Sequence, residues 1–372
     1  MSDFASRLRD ALDAKGMSMR AAAKAAQYDI AYVSRVLNGK QQPSKSLALA
    51  LDRVLAADGE LAASVVANGV PDVVGADDEL RHMRATVRHL LDHDNRHGGD
   101  AVASAAVQVW RTGQRKLDSG SVPSRSQLGY LGMLAELAEI AGWLLFDAER
   151  VTESRSAFLE SHILAVQAGD RPIQWFALDM LAMHGIEHQR PNETLRIADQ
   201  LLGESRIPPR VALLARIRRA RSLAVAGSRQ GALRDFMAAR SALDDSISRR
   251  DPSWTWWVDD RELTGHEGEA MLALGEPNAA VPKLWRALEL SAGADPNRRV
   301  NLYYSVALLT AYAHGRAWRE CESTLLSILP VLEIVTSGRS RRRLRATLCE
   351  LVRTSEAPSR LCDVARDVAT TL

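Results

Sequence analysis

Apolar residues recur at intervals of three and four along nearly the whole chain, and the strict alternation expected of half-buried strands is almost absent. The pattern predicts an all-α protein. In "FASRLRDALDAKG", Phe4, Leu8 and Leu12 share one helical face and Gly16 provides a stop. Ser18 is placed to cap a second helix, "MSMRAAAKAA", whose small residues Ala22, Ala23 and Ala26 let a neighbour approach closely. Asp29 is placed to cap a third, "IAYVSRVLNG", which turns Val33, Val36 and Leu37 inward and leaves Ile30, Ala31, Ser34 and Arg35 on the other face. Pro43 cannot continue a helix interior but suits the turn before Ser44, the expected cap of a fourth helix, "KSLALALDRVLA".

A breaker-rich stretch, "VVANGVPDVVGADDE" at 65–79, follows. The expected organisation is a leading module at 1–63, a linker at 64–77 and a second unit at 78–372. Within the second unit, helix-length segments alternate with breakers such as "HGGD", "AGDRP", "IPPR" and "LGEPN". Helix, short turn, helix over such a length predicts an α-solenoid rather than one closed bundle.

The third helix has the shape and chemistry to enter a DNA major groove. Arg35 can donate twice to guanine O6 and N7, Ser34 can donate or accept, and Ala31 or Ile30 can pack on a thymine methyl. Asn38, the backbone at Gly39, and Lys40 fall where the duplex backbone would pass and suit phosphates, and Ser18 at the start of the second helix is placed with them. Residues 17–40, "MSMRAAAKAAQYDIAYVSRVLNGK", resemble the helix-turn-helix of the Cro and lambda-repressor-like (XRE-type) regulators. The Ser-capped second helix, the "YVSRVLNGK" third helix and the Pro-Ser restart stand at family positions, and the resemblance extends over about residues 4–57. It implies base contacts from Ile30, Ala31, Ser34 and Arg35 and phosphate contacts from Asn38 and Lys40. The chain departs from the pattern at Gln27, where the inter-helix turn usually has Gly, and at Met19, where a phosphate-contacting Gln is common.

In the second unit, "GHEGEAMLALGEPNAAVPKLWRALEL" sets Gly268, Gly275, Ala280 and Ala287 at offsets that let antiparallel helices pack tightly, and it resembles the tetratricopeptide repeat. "RRARSLAVAGSRQGALRDFMAARSAL" repeats the pattern with Ala220, Gly227, Ala232, Phe236 and Ala239, and a looser copy carries Gly315 and Trp318. Gly227, Gly275 and Gly315 are 48 and 40 residues apart, so the repeats are irregular, and copies between 127 and 203 are weaker. A helix-turn-helix followed by such an array resembles a class of bacterial one-component regulators. That architecture implies a homodimer whose array binds an effector, a peptide or a small molecule. Trp254, Trp256 and Trp257 in "PSWTWWVDD" are the candidate effector pocket; two readings stand, an amphipathic lining or core between repeats.

Charge sharpens the contrast between the units. Formal net charge is +2, yet residues 1–57 hold nine Lys or Arg against five Asp, so the leading module is basic and the remainder slightly acidic. Cys321, Cys349 and Cys362 are odd in number and lack a C-x-x-C pair, which argues against a disulfide framework or structural zinc. The opening "MSDFASRLRDALDA" lacks the pattern of a signal peptide and no long apolar run appears, so a cytoplasmic protein without membrane contact is expected.

His89 and His93 could chelate a metal across one helical turn, but a polar helix end running into Gly98 and Gly99 accounts for them. "GRSRRRLR" at 338–345 reads as a solvated helix face. No phosphate loop, dinucleotide fingerprint or nucleophile motif stands out, so no catalytic residue, cofactor or metal is assigned. The alternative to a regulator is a tetratricopeptide-type adaptor with a vestigial DNA-binding module. An enzyme would need a site among the histidines near residue 93.

Overall fold

The computed structural model describes the chain except for residues 1–2, 27, 29, 39–42, 44, 58, 68–74 and 293–297, and divides it into two compact units, 1–81 and 82–372. The regular structure among the described residues is entirely helical, with no strand among them.

The first unit contains α1 (Asp3–Ala14), α2 (Met19–Ala25), α3 (Ile30–Leu37), α4 (Lys45–Leu55) and α5 (Glu60–Ala67). Phe4, Leu8 and Leu12 of α1 meet Ala22 and Ala23 of α2, Val33 and Val36 of α3, and Leu47, Leu51 and Leu55 of α4 in one core. Gly16 at φ +60° turns the chain out of α1, and Ser18 accepts from the Ala21 amide at 3.2 Å, capping α2 as its sequence position predicts. The expected caps Asp29 and Ser44 lie outside the described residues. Asp52 was not singled out in the sequence, yet its buried carboxylate accepts from the Gly59 and Ala62 amides, both at 2.8 Å, and so seats the start of α5. Of the expected linker, residues up to Ala67 continue α5 and residues from Gly75 open α6.

The second unit contains α6 (Gly75–His97, whose first turns precede it), α7 (Asp100–Asp118), α8 (Gln127–Asp147), α9 (Val151–Ala168), α10 (Arg171–Glu187), α11 (Pro191–Leu202), α12 (Pro209–Val225), α13 (Arg229–Ala242), α14 (Asp260–Ala273), α15 (Pro277–Ser291), α16 (Arg298–His314), α17 (Trp318–Leu332), α18 (Gly338–Arg353) and α19 (Ser359–Thr371). Five successive helix pairs share one connecting turn. At the end of α8, α10, α12, α14 and α16 a residue with positive φ follows the cap: Glu149, Gln189, Gly227, Gly275 and Arg316. The next amide in each case returns to a carbonyl five residues back, as in Arg150 to Leu145 (2.9 Å), Ser228 to Leu223 (2.8 Å) and Ala317 to Tyr312 (3.0 Å). This is the Schellman termination, and it reverses the chain into the next helix after one further residue. The third landmark glycine, Gly315, is therefore one place out of register: Arg316 holds the left-handed position.

Helices α8, α10, α12, α14, α16 and α18 contact one another in sequence, and α18 returns to α8. The body is thus a helical repeat whose inner layer closes into a ring, where the sequence predicted a solenoid rather than one closed bundle. Closure is made by backbone and buried polar groups. Thr336 donates to the His97 carbonyl at 2.6 Å, and the Asp147 carboxylate accepts from Gly99 N (3.1 Å) and Ser337 Oγ (2.9 Å). At Gly98, φ +85°, a Cβ would stand 2.2 Å from the Thr336 oxygen, so "HGGD" is a junction that only glycine permits.

The stretch Ser124–Asp147 is long and apolar enough to cross a membrane, with mean hydropathy 1.3 over an 18-residue window, but 72% of that window is buried inside the body. Its apolar character follows from its place in the inner layer, packed against α7, α9 and α10.

Candidate functional site

The first unit displays α3 as the sequence predicts. Val33 and Val36 are buried, Ile30 is 39% exposed, Arg35 is exposed and Ser34 half-buried, so these last three share the outward side. Arg9 of α1 reaches across to donate to the Leu37 carbonyl at 2.7 Å, tying the C-terminal end of α3 to the core. Asn38 is exposed, but its amide folds back to the Ser34 carbonyl at 2.8 Å, so a phosphate would have to draw it away. The Ser18 hydroxyl accepts the capping bond and keeps its proton available as a donor. Gly39 and Lys40, together with the side chain of Ala31, lie outside the described residues.

In the second unit the ring of inner helices encloses a cavity of about 730 Å³. Trp254, Trp256 and Trp257 all border it, on the 3-10 turn Ser253–Trp257 rather than on a helix. Trp254 stacks on Phe176 with centroids 4.5 Å apart and planes within 7°, and its Nε1 donates to the Pro172 carbonyl at 3.1 Å. Trp257 lies 6.5 Å from Trp254 and packs into the core, whereas Trp256 is 72% exposed. Lining and core are both represented in the same short turn.

Much of the cavity wall is charged, a feature that the sequence reading did not detect. Arg218, about 1% exposed, grips Asp179 through Nε–Oδ1 (2.9 Å) and Nη2–Oδ2 (3.0 Å). Burial works against its charge, and Asp179 and Glu262 outweigh that effect, leaving its pKa raised. Arg221 lies 3.5 Å from Glu269, and Arg299 lies 3.1 Å from Asp94, which also accepts from Trp143 Nε1 at 2.9 Å. His266 Nε2 meets Glu262 at 2.7 Å while its Nδ1 faces Arg221 at 2.9 Å. Burial lowers the His266 pKa, and Arg218 Nη1 also stands 2.6 Å from Nε2, so Glu262 and both arginines converge on the ring.

The arginine run at 338–345 corrects its expected role. Arg342 and Arg345 are exposed, but Arg339 is buried, with its guanidinium 4.7 Å from the Tyr303 ring centre and 4.9 Å from that of Phe146. Arg343 donates to Glu269 at 2.5 Å. One helical face of the run turns into the ring because α18 completes the inner layer.

Glu139 stands apart from these matched pairs. It is fully buried on α8, borders the cavity, and neither carboxyl oxygen has a hydrogen-bond partner. Burial, with Glu136 and Asp179 adding repulsion, pushes its pKa well above the usual carboxylate range. The His93 and His97 rings lie 5.0 Å apart with their planes tilted by 51°, and no group of three metal-ligating side chains occurs among the described residues.

The packing of α1 to α5 with α3 displayed outward defines an N-terminal helix-turn-helix domain. Residues 3–65 match the family model described as a helix-turn-helix domain. No curated protein matches the chain.

Proposed function

We propose that the protein is a sequence-specific DNA-binding transcriptional regulator, cytoplasmic and dimeric, that acts by binding rather than catalysis. The observation that carries this reading is the outward face of α3 bearing Ile30, Ser34 and Arg35, within a domain matched as helix-turn-helix. Arg35 reads guanine, Ser34 and the apolar residues Ile30 and Ala31 read the neighbouring pairs, and Ser18, Asn38, Gly39 and Lys40 hold phosphates.

The helical body, read as tetratricopeptide-like, dimerises and senses an effector in its ring cavity. Two recognition helices must meet half-sites about 34 Å apart, or a multiple of this. An effector that changes the curvature of the ring or the dimer geometry alters that separation and so alters operator affinity.

The test is selection of bound sequences from a random duplex pool at two salt concentrations, with dimer content followed by sedimentation. An inverted repeat that survives moderate salt supports the reading. Weak binding that disappears with salt, with no enriched sequence, would overturn it and favour the adaptor.

A further inference from the structure

We propose that the ring cavity binds an amphipathic organic cation, an amine carrying an apolar body, with the ammonium group paired to Glu139. The proposal rests on the reading of the body as an effector sensor and gives that site its ligand class.

The face of α8 turned to the cavity carries Gly129, Gly132, Glu136, Glu139 and Trp143 at steps of three and four. Asp170 stands close to Gly132, its Oδ2 3.4 Å from where a Cβ would lie. Buried polar groups in folded proteins are almost always hydrogen-bonded, so a fully buried carboxyl with both oxygens unsatisfied is a group held for something else.

The surrounding charges select the sign of that partner. The groups acting on Glu139 are Glu136, from its own helix, and Asp179 of α10, both carboxylates, so an anion would be repelled. Asp179 is already taken by Arg218, and Arg84 of α6 acts on Glu136. The arginines bordering the cavity from α12 to α18 have carboxylates within 4.0 Å: Arg218 with Asp179, Arg221 with Glu269, Arg261 with Asp259, Arg299 with Asp94 and Arg339 with Asp147. Each of these faces a carboxylate, although Nε of Arg221, Arg261, Arg299 and Arg339 makes no hydrogen bond, and Arg84 and Arg88 of α6 border the cavity as exposed residues; Glu139 is the buried carboxyl there with neither oxygen hydrogen-bonded.

The cavity also fixes the rest of the ligand. Its volume suits a drug-sized molecule, and Ile140, Met180, Met183 and the stacked Phe176 and Trp254 provide apolar wall beside the acid. An ammonium on an apolar body satisfies both surfaces, and pairing with it favours the ionised carboxylate of Glu139 against the burial that raises its pKa.

The experiment uses the full chain without DNA at pH 7 and three probes of similar shape: 2-phenylethylammonium, 2-phenylethanol and 3-phenylpropionate. Binding is followed by calorimetry, and proton release by direct pH recording in weakly buffered solution. The amine is expected to bind at least about tenfold more tightly than either control and to release protons, and Glu139→Gln is expected to abolish both effects. No binding of the amine, equal binding of the alcohol or the acid, or an unchanged preference in Glu139→Gln overturns the proposal. If the variant does not fold, the preference of the natural protein for the amine over both the alcohol and the acid decides alone. Adding a selected operator separates the two readings. Amine binding that leaves operator affinity unchanged keeps the site and removes the sensor, whereas operator binding without amine binding removes the site and keeps the regulator.

Discussion

Arg218 and Asp179 form a two-toothed ion pair inside the ring, at 2.9 and 3.0 Å, with both side chains no more than 2% exposed. The pair joins α12 to α10 across the inner layer, and Arg218 also lies 3.6 Å from Glu262 of α14. Asp179→Ala leaves a buried guanidinium without its main counter-charge and is expected to cost about 3–5 kcal/mol in urea unfolding. The double variant Asp179→Leu with Arg218→Met removes both charges and is expected to recover most of that loss. An equal loss in the single and double variants would show that shape, not charge, governs the site.

His184 makes stability depend on pH. Burial is the main cause that lowers its pKa to about 4, although Nε2 donates to the Val151 carbonyl at 3.0 Å. Above about pH 6.5 the ring is neutral whether folded or unfolded and contributes no pH dependence. Between about 6.5 and 4 the unfolded chain takes a proton that the folded chain refuses, so stability falls as pH drops through that window and levels off below it. The loss approaches about 3 kcal/mol, and His184→Gln is expected to flatten that part of the unfolding free-energy profile.

The shared turn predicts two substitutions of opposite sign. Gly227 has φ +78° with no atom within 4 Å of an added Cβ, so Gly227→Ala meets only backbone strain, about 1–2 kcal/mol of destabilisation. Gln189 holds the same conformation at φ +56°, and Gln189→Gly relieves that strain, partly offset by the freer unfolded chain. A gain of a few tenths to about 1 kcal/mol is expected, read as a higher thermal midpoint.

Those turns also explain what was legible in the sequence. The opening module was readable because its signals are local: the face of Phe4, Leu8 and Leu12, the Ser18 cap and the inward Val33 and Val36 each follow from a few neighbouring residues. Repeats carrying Gly227 and Gly275 were visible for the same reason. The earlier copies were faint because Glu149 and Gln189 occupy the left-handed position where glycine would announce it. Ring closure was illegible, since it joins Thr336 and Ser337 to His97 and Asp147 across long stretches of chain. The arginine run was misread on that account: a local pattern cannot show that Arg339 meets Tyr303 and Phe146. Glu139 was hidden among apolar neighbours, with burial rather than spacing marking it out.

Removing one positive charge from the first unit at either of two positions should give two different results. Arg9 holds the Leu37 carbonyl at the end of α3, whereas Arg35 projects from the outward face of that helix. Arg9→Ala is expected to lower stability by about 1 kcal/mol and to weaken DNA binding without altering the preferred sequence, because it loosens the seat of α3. Arg35→Ala is expected to affect stability less but to cost about 1–3 kcal/mol on the selected operator, with relaxed preference at a single base pair in each half-site. Binding titrations on the operator and on a panel of single-base variants distinguish the two. If Arg35→Ala weakens all duplexes equally, Arg35 contacts the phosphate backbone and another residue of α3 reads the base.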